Sequence, residues 1–314
     1  MNNITFKQLR NLSEDQAREL LESICWPDGA VCPHCGSKEA YKLTPKAESN
    51  KHVRNGVYKC KACRKQFTVT IGTILEGSRI KIADWLMAMY LMSSSKKGMS
   101  AHQLHRTLGV TYKTAWFMAH RIRLAMSQEP VAGMLKGTVE ADEAYIGGKE
   151  KNKHASKRTQ GTQGRSTQTK TPLAVLVERD GNSKAMKVVS TDAKTLKENI
   201  RRNVSKSATI MTDEWQAYNG LETEFAGHEV VDHGKGQYVN GNAYTNTAES
   251  WIALLKRGIV GTFHHVSEEH LDRYANEFSF RWNNREVSDA ERTVSAVKGI
   301  EGKHLYYKDP INKK

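Results

Sequence analysis

Two short cysteine pairs constrain this chain more than any other feature. Cys32-Pro-His-Cys35 and Cys60-Lys-Ala-Cys63 each place two thiols three residues apart. That spacing closes a tight knuckle and aims both sulfurs at one point. Two knuckles supply four thiolates in a tetrahedron, which is the donor set of a structural Zn2+ site. The surrounding segment is then a zinc ribbon. Gly36 follows the first knuckle, and Lys59, Lys61 and Arg64 give the second a basic skirt. Val57-Tyr-Lys59 and Gln66-Phe-Thr-Val-Thr70 provide short strands. His34 reads as a surface residue and Cys25 as a small buried one. A redox role is disfavoured, because there are two pairs and no βαβ pattern around them.

Charge narrows the partner. The 314 residues carry 48 Lys and Arg against 34 Asp and Glu, a net charge of +14. Such an excess points to a polyanion. No apolar run approaches the ~20 residues of a membrane-spanning helix. The start, Met1-Asn-Asn-Ile-Thr-Phe6, lacks the apolar core of a signal peptide. A cytosolic chain with reduced cysteines and no membrane partner is expected. The length allows two or three domains.

Helical periodicity dominates the rest of the N-terminal part. Phe6, Leu9, Leu12, Ala17, Leu20, Leu21 and Ile24 recur at helical spacing, and Ser13 with Gln16 reads as a capping box. Three further helices fill residues 79–127. The first, Ile82 to Met92, is apolar. Ser100 caps the second, Ala101 to Leu108. Gly109-Val110 makes a sharp turn, and Thr111 caps the third, Tyr112 to Met126. Helix, glycine turn and helix is the helix-turn-helix pattern, with an ordinary helical hairpin as the alternative. In that pattern Thr111, Tyr112, Lys113 and Thr114 face a DNA groove, and Arg121 is a further DNA contact. Ala115, Phe117, Met118 and Ile122 pack inward.

Beyond Pro130 and Gly133 the pattern turns to strands. Gly137 to Gly148 reads as a strand entering a glycine turn, with Glu140 and Asp142 on one face and Val139, Ala141 and Glu143 on the other. A carboxylate in a central strand is costly to bury without a metal or a partner. Lys149 to Lys170 holds seven Lys or Arg and one acid, a mobile loop that is either solvated or a phosphate-binding flap. Leu173–Val177 and Ala185–Val189 flank the turn Arg179-Asp-Gly-Asn182. A helix from Asp192 to Val204, a strand Ala208–Asp213, a strand Glu229–Asp232 and helices Asn246–Gly258 and Glu268–Asn284 follow. Three antiparallel strands, helix, strand, helix, strand, helix is the order of the ribonuclease-H-like fold.

In that order Asp142, Asp213 and Glu249 converge. Hard divalent cations take carboxylate oxygens, and two ions ~3.5–4 Å apart can hold both oxygens of an in-line phosphodiester displacement. Asp142 is then the bridging ligand of two Mg2+ (or Mn2+) ions, with Asp213 on one and Glu249 on the other. Glu140, Glu143 and Glu214 remain alternatives. Lys256 lies seven residues after Glu249 on the same helical face, placed for a DNA phosphate, while the adjacent Arg257 points elsewhere. Arg257 nonetheless counts among the DNA-binding cations. Asn246 is a candidate support for water at the site, and His264 and His265 are weaker candidates for phosphate contacts.

These motifs together resemble the DDE transposases of bacterial insertion sequences, specifically the ISXO2-like group. The resemblance rests on Cys32-Pro-His-Cys35, Val139-Glu-Ala-Asp-Glu-Ala-Tyr-Ile-Gly-Gly148, Met211-Thr-Asp-Glu-Trp215, Asn246-Thr-Ala-Glu-Ser-Trp251, Lys256-Arg-Gly258, Gly261-Thr-Phe-His-His-Val266 and Phe280-Arg-Trp-Asn-Asn-Arg285. It spans residues 20 to 290. It implies recognition of terminal inverted repeats in double-stranded DNA, Mg2+-dependent cleavage by water and attack of the freed 3′-hydroxyl on target DNA. It implies Asp142, Asp213 and Glu249 as the acids and Lys256 as the basic position. By the same analogy the chain acts near the bacterial nucleoid, as at least a dimer on DNA. A non-enzymatic regulator with a zinc ribbon and helix-turn-helix, or a nuclease without strand transfer, are the alternatives. The expected organisation is multidomain α+β and α/β: 1–75 N-terminal helices and zinc ribbon, 79–128 helix-turn-helix, 135–290 ribonuclease-H-like catalytic domain with its basic loop 149–170, and an unassigned tail, 291–314.

Overall fold

The computed structural model describes residues 4–44, 54–127, 133–161, 164, 166–232, 234, 242 and 244–311. Pro130 and Arg165 lie outside them. The chain divides into two compact units, residues 1–127 with 286–314, and residues 128–285. Among the described residues no helix is long and apolar enough to cross a membrane.

In the first unit, α1 (Phe6–Arg10) and α2 (Glu14–Cys25) both begin with capping boxes, Thr5 with Gln8 and Ser13 with Gln16. Each box satisfies N–H groups that the first helical turn leaves without intrahelical partners. A three-stranded antiparallel sheet follows, with β1 (Ala40–Lys42), β2 (Tyr58–Cys60) and β3 (Gln66–Phe67) in that order. Next come α3 (Ile82–Ser94), α4 (Ala101–Leu108) and α5 (Tyr112–Ala125). Helix α3 buries Trp85, Leu86, Met89 and Met92 and so forms the centre of the unit. Its first N–H, on Ile82, donates to both Glu14 carboxylate oxygens at 3.0 Å, so α2 caps α3. Gly109 ends α4 at φ 69°, the left-handed conformation in which glycine has no Cβ penalty.

The tail expected over 291–314 is not a separate appendage. Helix α9 (Asp289–Lys298) packs against α2, α3 and α5. Beyond it, Thr73 pairs with Glu301, and the Gly302 N–H donates to the Gly72 carbonyl at 2.9 Å. Gly299 lies so close to α5 that a Cβ there would meet the Ala125 carbonyl oxygen at 2.2 Å. The seam expected at 290 accordingly falls at 285/286, and the ribbon and helices expected as separate domains share one unit with the C-terminal residues.

The second unit is a five-stranded mixed sheet, order β6-β5-β4-β7-β8. The strands are β4 (Thr138–Ile146), β5 (Thr171–Glu178), β6 (Ser183–Lys187), β7 (Thr209–Asp213) and β8 (Gly227–Val231). β4 to β6 form an antiparallel meander; β7 runs parallel to β4, and β8 parallel to β7. Helix α6 (Ala193–Asn203) covers one face, where Val139, Ala141, Leu176, Leu196, Ile200, Ile210 and Tyr218 form a core. Helices α7 (Asn246–Gly258) and α8 (Leu271–Asn283) cover the other, where Ala144, Val175, Val177, Trp251, Leu255 and Phe278 form a second. The period-two alternation of β4 thus divides between two apolar layers, with Glu140 and Asp142 on the α7 side.

The basic loop 149–170, expected to be mobile, has local order around its lone acid. Glu150 accepts from Lys153 Nζ at 2.5 Å and from the Thr159 N–H at 3.0 Å, and Arg158 donates to the Lys151 and Lys153 carbonyls.

Candidate active site

The zinc-type cluster is built from two turns. Among the described residues, one atom from each of Cys32, Cys35, Cys60 and Cys63 lies within 4.8 Å of the others. Cys32 and Cys63 Sγ are 3.7 Å apart, and Cys35 and Cys60 Sγ are 3.6 Å apart. A tetrahedron with bonds of ~2.3 Å has edges of about 3.8 Å, so the set fits Zn2+. A disulfide would need ~2.05 Å. The Cys63 N–H points at Cys60 Sγ and pulls that thiol down, stabilising the thiolate a metal requires. Trp26 and Tyr58, with ring centroids 5.3 Å apart, pack beside Phe67 beneath the cluster. His34 is exposed and stands outside the cluster.

The carboxylate site arises from sheet register. Glu140 pairs with Met211 across the parallel β4–β7 ladder. The ladder ends there; its register carried two residues on sets Asp142 beside Asp213 on the same face, and the Asp213 charge acts on Asp142. Glu249 lies in the first turn of α7, which packs on β4. Burial pushes the Asp142 carboxyl up to about 6. The Glu143 N–H, donating to Asp142 Oδ1 at 2.7 Å, opposes this. Within that net shift Asp213 and Glu249 also raise it, and Lys256 lowers it. All four side chains therefore share one field. Three carboxylates facing each other repel, and a divalent cation relieves that repulsion with the oxygen donors it prefers. Their oxygens are more widely spread than the four thiols. As oxygen donors, these carboxylates are of the kind that hard divalent ions take.

The neighbouring acids have different roles. Glu140 is 0% exposed and accepts four hydrogen bonds: from Arg179 Nε (2.7 Å), Thr247 N (2.7 Å), Thr247 Oγ1 (2.9 Å) and Ala248 N (2.9 Å). These fill the roughly four lone-pair positions of a carboxylate, so it has none left for a metal. Glu143 faces the α6 side and accepts from the buried Tyr218 hydroxyl, whose pKa burial and that carboxylate hold well above the usual phenol range. Glu214 is exposed and accepts from the Gly234 N–H.

The candidate DNA contacts separate by exposure. Tyr112 and Lys113 are exposed at the start of α5, with Tyr112 stacked on His102. Thr111 and Thr114 are joined through their hydroxyls at 2.9 Å, and Thr111 caps the helix. Arg121 does not fit the expected groove contact. It is 7% exposed, its guanidinium lies over the Phe117 ring, and it donates to the carbonyls of Leu305 (3.2 Å) and Glu76 (3.1 Å). It falls on the inward face beside Met118 and Ile122, and the C-terminal segment covers it. Lys256 and Arg257 are exposed. Arg257 Nε donates back to the Ala253 carbonyl. Asn246 is exposed at the first position of α7. His264 and His265 are exposed beyond a π-helical turn, Ile259–Phe263.

Arg179 was hidden in a hairpin turn. Its guanidinium donates to Glu140 and to the carbonyls of Asn242 and Tyr244, and lies 3.4 Å from the Tyr244 ring centroid. Turn residues with long-range contacts leave no local signal.

The comparisons agree with this division. Residues 134–283 match the ISXO2-like transposase domain, nearly the whole second unit, and residues 12–66 match the transposase zinc-ribbon domain. The "Uncharacterized protein in transposable element ISH50" of Halobacterium salinarum is 31% identical over 284 residues, covering 86% of this chain and 91% of that one. No solved structure matches the chain. On these matches the chain belongs to the ISXO2-like transposase family of insertion sequences.

Proposed function

We propose that this chain is a DDE transposase, which binds the terminal inverted repeats of an insertion sequence and carries out Mg2+-dependent DNA cleavage and strand transfer. One observation supports the reading: Glu140 pairs with Met211 in the parallel β4–β7 ladder, a register that carried two residues on sets Asp142 beside Asp213, and the Asp213 and Glu249 charges both raise the proton affinity of Asp142. The strand order β6-β5-β4-β7-β8 and its antiparallel and parallel halves support the ribonuclease-H-like assignment.

Asp142, Asp213 and Glu249 would hold the ions, with Asp142 as the ligand shared between them. When bound, two Mg2+ (or Mn2+) ions supply charge neutralisation of the scissile phosphate and a nucleophilic oxygen at neutral pH. The protein's part is to hold three carboxylates at fixed separations on a rigid sheet and helix. Lys256, two turns beyond Glu249 on α7, holds a phosphate oxygen, and Arg257 contacts the flanking backbone. In the first step a water oxygen bonds to phosphorus and the bond to the 3′ oxygen breaks, which leaves a 3′-hydroxyl. In the second, that hydroxyl bonds to a target phosphorus and displaces another 3′ oxygen.

Recognition falls to the first unit. Helices α4 and α5, joined through Gly109, act as a helix-turn-helix that presents Tyr112 and Lys113, with Thr111 and Thr114 at the same helix end. The thiolate cluster holds structural Zn2+. Two ends must be brought together for joining, so the working form is a homo-oligomer, at least a dimer on DNA, in the cytoplasm.

The test mixes purified protein, Mg2+, labelled terminal-repeat DNA and a target plasmid. Joined products that Asp142→Asn abolishes are the expected result. Cutting without joining would indicate a nuclease instead. Binding without cutting, unchanged by Asp142→Asn, would refute catalysis altogether.

A further inference from the structure

Glu140 occupies an unusual position for a fully buried acid. It lies two residues before Asp142 on the same face of β4, yet all four of its accepted hydrogen bonds come from protein donors. Two of them are the N–H groups of Thr247 and Ala248, the second and third residues of α7. Those are the donors that an N-cap side chain normally satisfies. The residue at the N-cap, Thr245, makes no side-chain cap hydrogen bond. The cap of α7 is therefore supplied from a different element, the strand that bears Asp142. A carboxylate at a helix N-terminus is further favoured by the helix dipole.

Glu249 follows Ala248 directly, in the same first turn. We propose that Glu140 is a positioning residue, which sets the Glu249 carboxylate against that of Asp142 by fastening the first turn of α7 to β4. This rests on the proposed carboxylate site. Arg179 completes the device. Its guanidinium neutralises Glu140 and also ties down the carbonyls of Asn242 and Tyr244, just ahead of the helix. Chain entry, first turn and central strand thus meet at one ion pair. Glutamine at position 140 would have the right size. However, its NH2 group would face donors where the carboxylate now accepts, so at least one helix N–H or the Arg179 guanidinium would lose its partner.

The experiment compares wild type, Glu140→Gln, Glu140→Asp, Glu249→Gln and the double variant Glu140→Gln/Glu249→Gln, each as the full chain. Mn2+ affinity is measured by spin-resonance titration, and strand cleavage is measured with labelled terminal-repeat DNA. Misplacement of a catalytic group by ~1 Å costs about 100-fold, so Glu140→Gln is expected to lose about 100-fold in kcat with KM for DNA unchanged. It is also expected to weaken Mn2+ binding, with Glu140→Asp intermediate in both. On the Glu249→Gln background, Glu140→Gln should weaken Mn2+ binding no further, because the residue acts through Glu249. A purely structural role would lower the melting temperature but leave the Mn2+ affinity of the folded protein intact, which overturns the proposal. Additive losses in the double variant overturn it as well. Wild-type protein that neither binds Mn2+ nor cuts DNA would instead remove the carboxylate site itself. Wild-type binding with an unaffected Glu140→Gln removes only the role of Glu140.

Discussion

Glu140 and Asp142 lie two residues apart on one face of β4, and the protein treats their charges in opposite ways. Glu140 accepts four hydrogen bonds from protein donors, whereas Asp142 has the Glu143 N–H beside it and two other carboxylates in its field. The first charge is satisfied by the fold. The second is, in the proposed function, left for a divalent cation to satisfy. Several consequences can be measured.

Without a divalent ion, Asp142 works against stability at neutral pH. Its carboxyl is pushed up to about 6 in the folded chain, above an unfolded value of about 3.9. Between those pH values the folded state keeps a proton that the unfolded state has lost. The associated stability is present below about pH 4 and is lost as pH rises through about 6, on the order of 1–3 kcal/mol. Asp142→Asn removes this term. In chelator, its melting temperature should exceed that of wild type by a margin that grows from pH 5 to pH 7. A margin that shrinks over that range would contradict the assignment.

The same shift governs metal binding. Protons and divalent cations compete for Asp142, so Mg2+ should raise the wild-type melting temperature clearly at pH 7.5 and little at pH 5. Cleavage should likewise fall as pH drops through about 6. Equal Mg2+ stabilisation at both pH values would place the ion elsewhere.

Arg121 and Lys113 lie on one helix and should behave oppositely. Arg121→Ala leaves the Leu305 and Glu76 carbonyls without this donor and should cost about 1–3 kcal/mol of stability. Lys113→Ala should leave stability within ~0.5 kcal/mol and weaken binding to DNA. Its loss should also flatten the salt dependence of binding by about one unit. Denaturant melts and salt titrations of DNA affinity separate the two. Arg121→Ala that weakens DNA binding at unchanged stability would restore it as a groove contact.

Zinc should hold the ribbon and nothing beyond the first unit. Cys60→Ser removes a fully buried ligand of the four-thiol cluster. Hydrogen exchange should then accelerate over β1 to β3 while β4, β5 and β7 keep their protection. Uniform loss of protection across both units would show that the cluster supports more than its own fold.

Several of these features were legible from residues alone. The cysteine knuckles, the cap at Ser13, the glycine turn at 109 and the alternation of β4 are local patterns, and each recurs in the structure where its spacing puts it. The long-range partners were not legible. Nothing near Glu140 says that it caps a helix 107 residues away, because an acid in a strand reads the same whether its donors are protein or metal. Arg121 was misread because its inward direction depends on Leu305, 184 residues on. The C-terminal residues carry a clear capping box at Ser288, but their docking on α3 follows from no local period.

The central claim is that Asp142, Asp213 and Glu249 jointly hold two divalent ions. The most direct measurement is an anomalous-scattering crystal structure of the protein soaked in Mn2+. It should show two ions ~3.5–4 Å apart, both touching Asp142, with Asp213 on one and Glu249 on the other. Mn2+ bound elsewhere with these carboxylates free, or paired ions that persist unchanged in Asp142→Asn, would contradict it.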